Sequence, residues 1–392
     1  MSAPLSKVLT LPPMEKNKKN TKQFSKDSRV IPSSNIQNIY SLYTSEFANL
    51  EIANLKYYLE SSRKGLNFWK SLLFEYIRRI DLRISAVCQT RKLSVLGKSY
   101  SVECSDVLLK DFTEKFISGF SNLENFFTDI VESSIQGLSV FEINYKLCGD
   151  KIYPEDIRRI QNHLIVYDDI AEEYSVLDAL KTSAINLRLA ATGINDRVDI
   201  HSLPLLDINE DKLLEVHSFD GDNPNGFLNG CIDSLILAYF FKSYSVKDWQ
   251  IFIEKFASPT VIGKYSALNQ HDKNSLILAI QNLKNNASAV VPGEADIIFR
   301  GDENKGEGSA IFNSNIDFWN NEITIRVLGQ NLTTSLDNKG SYAAAQVHNA
   351  VRHDIIQGDL NLIEGTMNRL IKKVIDLNFA DVKEYPKFNF SL

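Results

Sequence analysis

The sequence has few of the residues from which metal and catalytic sites are usually built. Its 392 residues include 4 cysteines and 6 histidines, and no two cysteines have the two-residue spacing of zinc or redox motifs. The cysteines lie far apart, which excludes a disulfide scaffold, so we expect reduced thiols in the core. A Gly-x-Ser-x-Gly nucleophile elbow is also missing. Nothing in this composition favours an enzyme.

Long apolar runs are missing as well. No run approaches the roughly 20 residues that cross a bilayer. The first thirty residues lack the apolar core of a signal peptide. We therefore expect a soluble protein made inside a cell. The hydrophobic share of 44% is ordinary for a globular protein, and the length allows two or three domains.

Positive charge is concentrated at the amino terminus. Within residues 1–30, seven basic side chains oppose two acidic ones, a balance of +5. The whole chain carries −6, so the rest of the chain carries −11. A body this acidic is not a general nucleic-acid binder, and any contact with DNA must be local or weak. Residues 1–35, interrupted by four prolines, are predicted to form a flexible basic arm.

Residues 36–225 mix helical stripes with short strands. The alternation of Leu93–Leu96 and Tyr100–Cys104 across a Gly-Lys turn predicts a hairpin, and Leu138–Tyr145 predicts a half-buried strand. The breaker cluster Gly221–Gly226 marks the end of this region. The sequence therefore predicts an α+β fold that is mainly helical.

Two helical segments flank a small α/β insertion after this boundary. Residues 226–256 form a strongly apolar segment, and residues 257–311 contain strand-like pieces around a short helix. Residues 312–329 predict an amphipathic helix with one apolar stripe, and Gly329 suits the left-handed residue at a helix end. The stripe consists of Phe312, Ile316, Trp319, Ile323 and Val327.

A polar segment, residues 330–341, separates this helix from a long helical pattern over residues 342–380, and residues 381–392 form a short tail. A connection of about a dozen residues exceeds the usual loop between helices, and such loops often carry function. An ordinary helical hairpin with a long tip explains the same pattern, so composition leaves both interpretations open.

His348, His353 and Asp354 are the one group in this pattern that suggests chemistry. A spacing of five residues turns two helical side chains well apart, so the histidines cannot share a metal without ligands from elsewhere. A structural role is the simpler interpretation. A metal-dependent nucleic-acid enzyme that uses this region is the alternative; otherwise we expect no catalytic residue, metal or cofactor.

Short segments in collinear order resemble the Mu-type phage portal proteins. Residues 249–265 have the pattern Trp-x-x-Phe-x-Glu-x-Phe-x-x-Pro-x-x-x-Gly-Lys-Tyr, and residues 328–334 read Leu-Gly-Gln-x-Leu-Thr-Thr. Residues 340–343 and the Val-His-x-x-Val-Arg-x-Asp pattern of residues 347–354 follow. Residues 80–91, 137–145 and 371–379 extend the resemblance over most of residues 40–380. The chain departs from the family at Ser258, where a glycine is usual.

The resemblance implies a portal fold of wing, stem and clip assembled as a ring, with the crown reduced or absent. Mapped onto this chain, the wing is 36–225 with 342–380, the stem 226–256 and 312–329, the clip 257–311, and the tunnel loop 330–341.

The resemblance also implies a ring of about a dozen copies at one capsid vertex of a virion, assembled in the host cytoplasm. Double-stranded DNA would pass through it without sequence specificity. Further implied partners are the terminase large subunit, a head-completion or adaptor protein and the major capsid protein, with no membrane.

Three groups of residues are the candidate sites that follow from this resemblance. Those of the tunnel loop would meet DNA: Gln330, Asn331, Leu332, Thr333, Thr334, Asn338 and Lys339. Those of the clip would face DNA, terminase or solvent: Lys264, Arg300 and Lys305. The apolar stripe of residues 312–329 would pack against other stem helices.

Overall fold

A computed structural model describes residues 47, 50–179, 181–182, 202–257, 260–264, 273–274, 276–279, 296–300, 305–331 and 342–391. Within these ranges it does not describe the side chains of 255–257, 260–264, 296–300, 305–308 and 342–349. The chain divides into two compact units, Met1–Ile236 with Ile323–Leu392 and Leu237–Glu322. The fold is α+β and mainly helical, which confirms the predicted class.

The described elements of the amino-terminal half alternate short helices and strands. In chain order they are α1 (Ile52–Arg63), α2 (Phe68–Ile80), α3 (Leu82–Leu93), β1 (Tyr100–Glu103), α4 (Val107–Ser118), α5 (Leu123–Gln136), β2 (Leu138–Cys148), β3 (Lys151–Ile160), β4 (Ile165–Asp168), β5 (Glu173–Val176) and β6 (Leu213–His217).

The carboxy-terminal half contains the three longest of the described helices. Its elements are α6 (Ile232–Ala257), β7 (Thr260–Lys264), β8 (Asp296–Arg300), α7 (Lys305–Leu328), α8 (Tyr342–Asp376) and β9 (Lys387–Phe390). Helices α6 and α7 each begin in one unit and end in the other.

The core of the first unit lies between α5, α8 and an antiparallel sheet of order β3-β2-β6. Its centre is apolar and closed to solvent, with Ile130, Phe141, Ile363 and Met367 fully buried. Full burial of such a side chain contributes about 1.5–3 kcal/mol. The strand predicted over Leu138–Tyr145 is confirmed in β2, but the prediction that it is half-buried is wrong, because both of its faces are buried over residues 138–143.

Gly137 makes the sharp connection from α5 to β2. Its φ is +88°, and a Cβ there would lie 2.1 Å from the carbonyl oxygen of Gly226. A side chain at this position meets both a strained backbone and another backbone segment. Glycine thus brings the start of β2 against the turn that precedes α6.

The predicted hairpin of Leu93–Leu96 with Tyr100–Cys104 is wrong. Leu93 ends helix α3, and β1 pairs antiparallel with β9, with Val102 opposite Phe388. Residues 381–392 are accordingly more than the tail that we expected, because Phe388 is fully buried in the core. The gain from burying Phe388 and its neighbours exceeds what a two-stranded hairpin provides by itself.

Helix α7 begins at Lys305, not at residue 312 as the periodicity predicted. Gly306 and Gly308, which suggested a loop, lie within the helix. Glycine lowers helix propensity by about 1 kcal/mol relative to alanine. Contacts made further along the same helix, such as the hydrogen bond from Trp249 Nε1 to Ser309 Oγ at 3.3 Å, offset that cost.

A buried acid links three helices of the first unit. The carboxylate of Glu132 is fully buried on α5, 2.5 Å from Arg78 Nη1 on α2 and 2.9 Å from Lys92 Nζ on α3. Gln136 Nε2 donates to it at 2.6 Å. Burial alone would raise the pKa of Glu132, but the charges of Arg78 and Lys92 outweigh burial and hold this pKa well below its usual range.

We expect Glu132→Ala to lower the unfolding free energy by about 3 kcal/mol at pH 7, because two partly buried cations lose their counter-ion. The folded pKa of Glu132 lies below its ordinary value of 4.5. The stabilisation is therefore complete above that pH and declines as the pH falls through the folded pKa. Urea unfolding at several pH values measures both effects.

The control is Glu114→Ala on the exposed face of α4, where Glu114 lies 3.8 Å from Lys110. A surface pair of this kind contributes at most about 1 kcal/mol. Equal losses in the two variants would contradict the role assigned to Glu132.

Candidate functional site

One buried lysine, one partly buried arginine and one exposed arginine meet the ends of α6 and α7 that lie in the first unit. We call Lys70, Asp233, Arg91, Asp359 and Arg326 the root site. Its members come from α2, α3, α6, α7 and α8, so it is built by long-range packing.

Lys70 holds the start of α6. Its fully buried ammonium donates to the carbonyl oxygen of Phe227 at 2.5 Å and pairs with Asp233 Oδ1 at 2.9 Å. Burial lowers the pKa of Lys70, and the carboxylate of Asp233 opposes that shift. Asp233 lies in the first turn of α6, where the helix dipole favours a negative charge.

Arg91 holds the end of α7. Its Nε and Nη2 donate to the two carboxylate oxygens of Asp359 on α8, each at 2.9 Å. Its Nη1 donates to the carbonyl oxygen of Val327 at 3.2 Å. Ser134 Oγ on α5 also donates to Asp359, at 2.9 Å. One guanidinium therefore joins α3, α7 and α8.

Arg326 makes a more exposed contact in the last turn of α7. Its Nη2 bonds a carboxylate oxygen of Asp220 and donates to the carbonyl oxygen of Gly230 at 2.9 Å. Both charged side chains are exposed, so this ion pair contributes at most about 1 kcal/mol. These contacts join α7 to Asp220 and Gly230, which precede α6, and they stabilise the unit only weakly.

Gly329 follows the last residue of α7 and directly precedes the predicted tunnel segment. Its φ is +72°, and its amide donates to the carbonyl oxygen of Ile325 at 2.8 Å. The predicted helix end is therefore correct. Gln330 is buried and Asn331 half-buried. The other candidates for DNA contact lie outside the described residues: Leu332, Thr333, Thr334, Asn338 and Lys339.

The predicted stripe of α7 packs within the chain. In the second unit, the ring of Phe312 lies 5.7 Å from that of Phe252, and Trp319 stacks on Phe241 with ring centres 5.5 Å apart. Ile316 is half-buried there. Ile323 and Val327 are buried in the first unit. Packing of this stripe against the stem helices of other subunits stays a prediction.

A second set of apolar side chains on α7 shows that the helix does not have the single stripe that we expected. Ile311, Phe318 and Ile325 recur every seven residues and are 70%, 52% and 42% exposed. Helix α6 has a similar exposed row. Its members are Leu237, Tyr244 and Ile251. We call these six residues the stem rows.

The three clip candidates are not brought together by the backbone. Strands β7 and β8 pair with Lys264 opposite Asp296 and Thr260 opposite Arg300, so Lys264 and Arg300 lie at opposite ends of the ladder. Lys305 is the first residue of α7, not part of a loop. The backbone register therefore separates Lys264 from Arg300 along the ladder.

The candidate chemical group is not assembled into a site by the described residues. His353 and Asp354 are exposed on α8, and the side chain of His348 is outside the description. The described residues contain no group of three or more histidine, cysteine or acidic side chains that could hold a metal ion. No helix in the described ranges has the length and apolarity that a membrane crossing requires.

Comparisons with known proteins identify relatives of this chain. The sequence profile of the family described as "Portal protein of Mu bacteriophage" matches residues 71–392. The chain is 30% identical over 176 residues to the Mu-like prophage FluMu protein gp29 of Haemophilus influenzae. It is 30% identical over 153 residues to the portal protein of Escherichia phage Mu. These alignments cover 43% and 38% of this chain but only 33% and 29% of the two relatives.

Two solved structures share the fold at low sequence identity. A chain in the virion of a native gene transfer agent particle has a TM-score of 0.51 and 10% identity, covering 85% of this chain and 83% of that chain. A chain in the neck of such a particle, computed with C12 symmetry, has a TM-score of 0.50 and 11% identity, covering 79% and 80%.

We expect Gly329→Ala to destabilise the first unit by about 1–3 kcal/mol, because alanine disfavours the positive φ. Its Cβ would also lie 2.5 Å from Ile355 Cδ1. Thermal unfolding measures the loss. Gly365→Ala is the matched control: it lies inside α8 with open space around its Cβ, so it should be neutral or stabilising by up to about 1 kcal/mol. Gly329→Ala without any loss would contradict this geometry.

Proposed function

The chain belongs to the family of the portal protein of Mu bacteriophage, and we propose that it forms the ring through which double-stranded DNA enters and leaves the head of a tailed phage or phage-like particle. The role is structural and uses no catalytic group. It places the protein at one vertex of the capsid, in particles assembled in the host cytoplasm.

The observation that carries the proposal is the pair of stem rows. Trp319 and Phe312 already pack on α6 of the same chain, so the exposed rows are apolar surface beyond what this helix pair uses. Regular seven-residue spacing keeps such side chains along one side of a helix, as between packed helices. Repeated head-to-tail contacts related by rotation close into a ring.

The fold shared with a gene transfer agent neck supports a proposal for the number of subunits. A chain of similar fold occurs in a neck computed with C12 symmetry. We therefore propose twelve copies. In such a ring each subunit uses its stem rows against two neighbours, so every interface has the same composition.

The charge distribution supports a channel through which DNA slides. The acidic body would not neutralise phosphates, and tight neutralisation would retard translocation. Residues 330–341 contain one acid, Asp337, and one base, Lys339, among amides and hydroxyls. Such groups contact the DNA backbone without reading its sequence. We propose this segment as the part that meets DNA.

The remaining proposed partners follow from the family. They are the terminase large subunit during packaging, a head-completion or adaptor protein afterwards, and the major capsid protein around the vertex. The clip, with Lys264 and Arg300 at opposite ends of its described ladder, is proposed as the surface for terminase and the adaptor.

We expect Phe318→Asp to abolish or strongly reduce ring formation, because the charge would be buried between apolar side chains. Native mass spectrometry and negative-stain imaging of purified protein count the rings and subunits. The control is Asn313→Asp, an exposed position on α7 outside the stem rows, which should leave rings intact. A wild-type protein that stays a monomer at high concentration would overturn the proposal.

We expect trimming of residues 333–340 to leave rings intact and to reduce DNA packaging by at least about tenfold, because the segment that meets DNA is lost. DNase-protected DNA per particle is the measurement. Rings that no longer form would assign the segment to the interface between subunits. Normal packaging would remove it from the DNA channel.

A further inference from the structure

We propose that Arg91 is a positioning residue for the end of α7 and for Gln330 and Asn331, the described start of the segment 330–341, and that it acts through the last turn of α7 and the facing turn of α8. The inference rests on the proposed function, since it concerns how the DNA-facing segment of the ring is held. Arg91 itself does not touch the described end of that segment; it acts through Val327 and Asp359.

The partners of Arg91 lie on both sides of the segment in the chain. Val327 is three residues before Gln330, at which the segment starts, and Asp359 lies on α8, the helix that follows it. A Cβ at Gly329 would lie 3.0 Å from Val351 Cγ1 on the same helix. The elements before and after the segment are therefore in contact, and Arg91 bonds to both.

Only arginine fits the acceptors that Asp359 and Val327 provide. Two nitrogens engage both oxygens of Asp359 while the third reaches a backbone carbonyl. A lysine ammonium is a point charge without this planar fork. The carbonyl oxygen of Val327 lies in the last turn of α7, where carbonyl groups accept no hydrogen bond from within the helix. The helix dipole also favours a cation at this end.

The pair formed by Arg91 and Asp359 is held in place and charged. Ser134 holds Asp359 Oδ1 from α5, and the Asp359 carboxylate is buried. Burial alone would lower the pKa of Arg91, but the hydrogen bond and charge of Asp359 outweigh it and raise this pKa.

The test is Arg91→Lys in assembled rings. Lysine can keep the ion pair with Asp359 but cannot also bond to Val327. We expect rings to form. The amides of residues 327–331 should exchange with deuterium about tenfold faster, because one charge-assisted hydrogen bond is lost. The amount of DNase-protected DNA per particle should fall. Exchange in the core strand β2 should not change.

Two controls separate positioning from stability. Arg83→Lys makes the same exchange on α3 at a side chain that forms no ion pair with the residues that the structure describes, and should behave as wild type. Ile130→Val removes a buried methyl group from the core and should lower the melting temperature comparably, while leaving exchange at 327–331 and packaging unchanged.

The inference is overturned if Arg91→Lys matches wild type, or if Ile130→Val reproduces its defects. If Arg91→Lys does not yield soluble rings, Ser134→Ala is the milder variant. It should raise exchange at 327–331 by a smaller factor, and an unchanged value would also overturn the inference. Failure of wild-type protein to form rings or support packaging would refute the proposed function instead.

Discussion

The first unit depends on cations placed at the ends of α6 and α7 that lie within it. Arg91 lies at the carboxy-terminal end of α7, where the helix dipole attracts it. Lys70 lies at the amino-terminal end of α6, where the dipole repels it, and Asp233 in the first turn compensates both the dipole and the burial. The two sites are therefore not equivalent, and an exchange of lysine for arginine would not conserve either of them.

Local sequence signals predicted what local physics determines. The strand after Gly137, the helix end at Gly329 and the long helices follow from periodicity and backbone freedom. The pairing of β1 was missed because its partner β9 lies at the other end of the chain, and turn residues carry no information about distant strands. The start of α7 was missed because packing outweighs the low helix propensity of two glycines.

The candidate site was predicted only in part, for a related reason. The length and polarity of residues 330–341 marked that segment without any knowledge of the fold. A single charged residue in a helical pattern, such as Lys70 or Asp359, resembles an ordinary solvated position until its partner is known. The row of Ile311, Phe318 and Ile325 was missed because an apolar pattern does not reveal which positions the chain itself covers.

In the proposed ring, Gly329 separates two opposite physical requirements. Before it, the stem rows must bind strongly to neighbours, and burial of each apolar side chain contributes about 1.5–3 kcal/mol at every interface. After it, the polar segment must bind DNA weakly, since DNA held firmly by the ring could not move. Apolar surfaces that slide past each other lose buried area and binding free energy, whereas amides and hydroxyls can exchange a hydrogen bond to DNA for one to water. The chain must therefore be held in place between the stem rows and the polar segment. Arg91 can hold it there because its partners lie on both sides of Gly329.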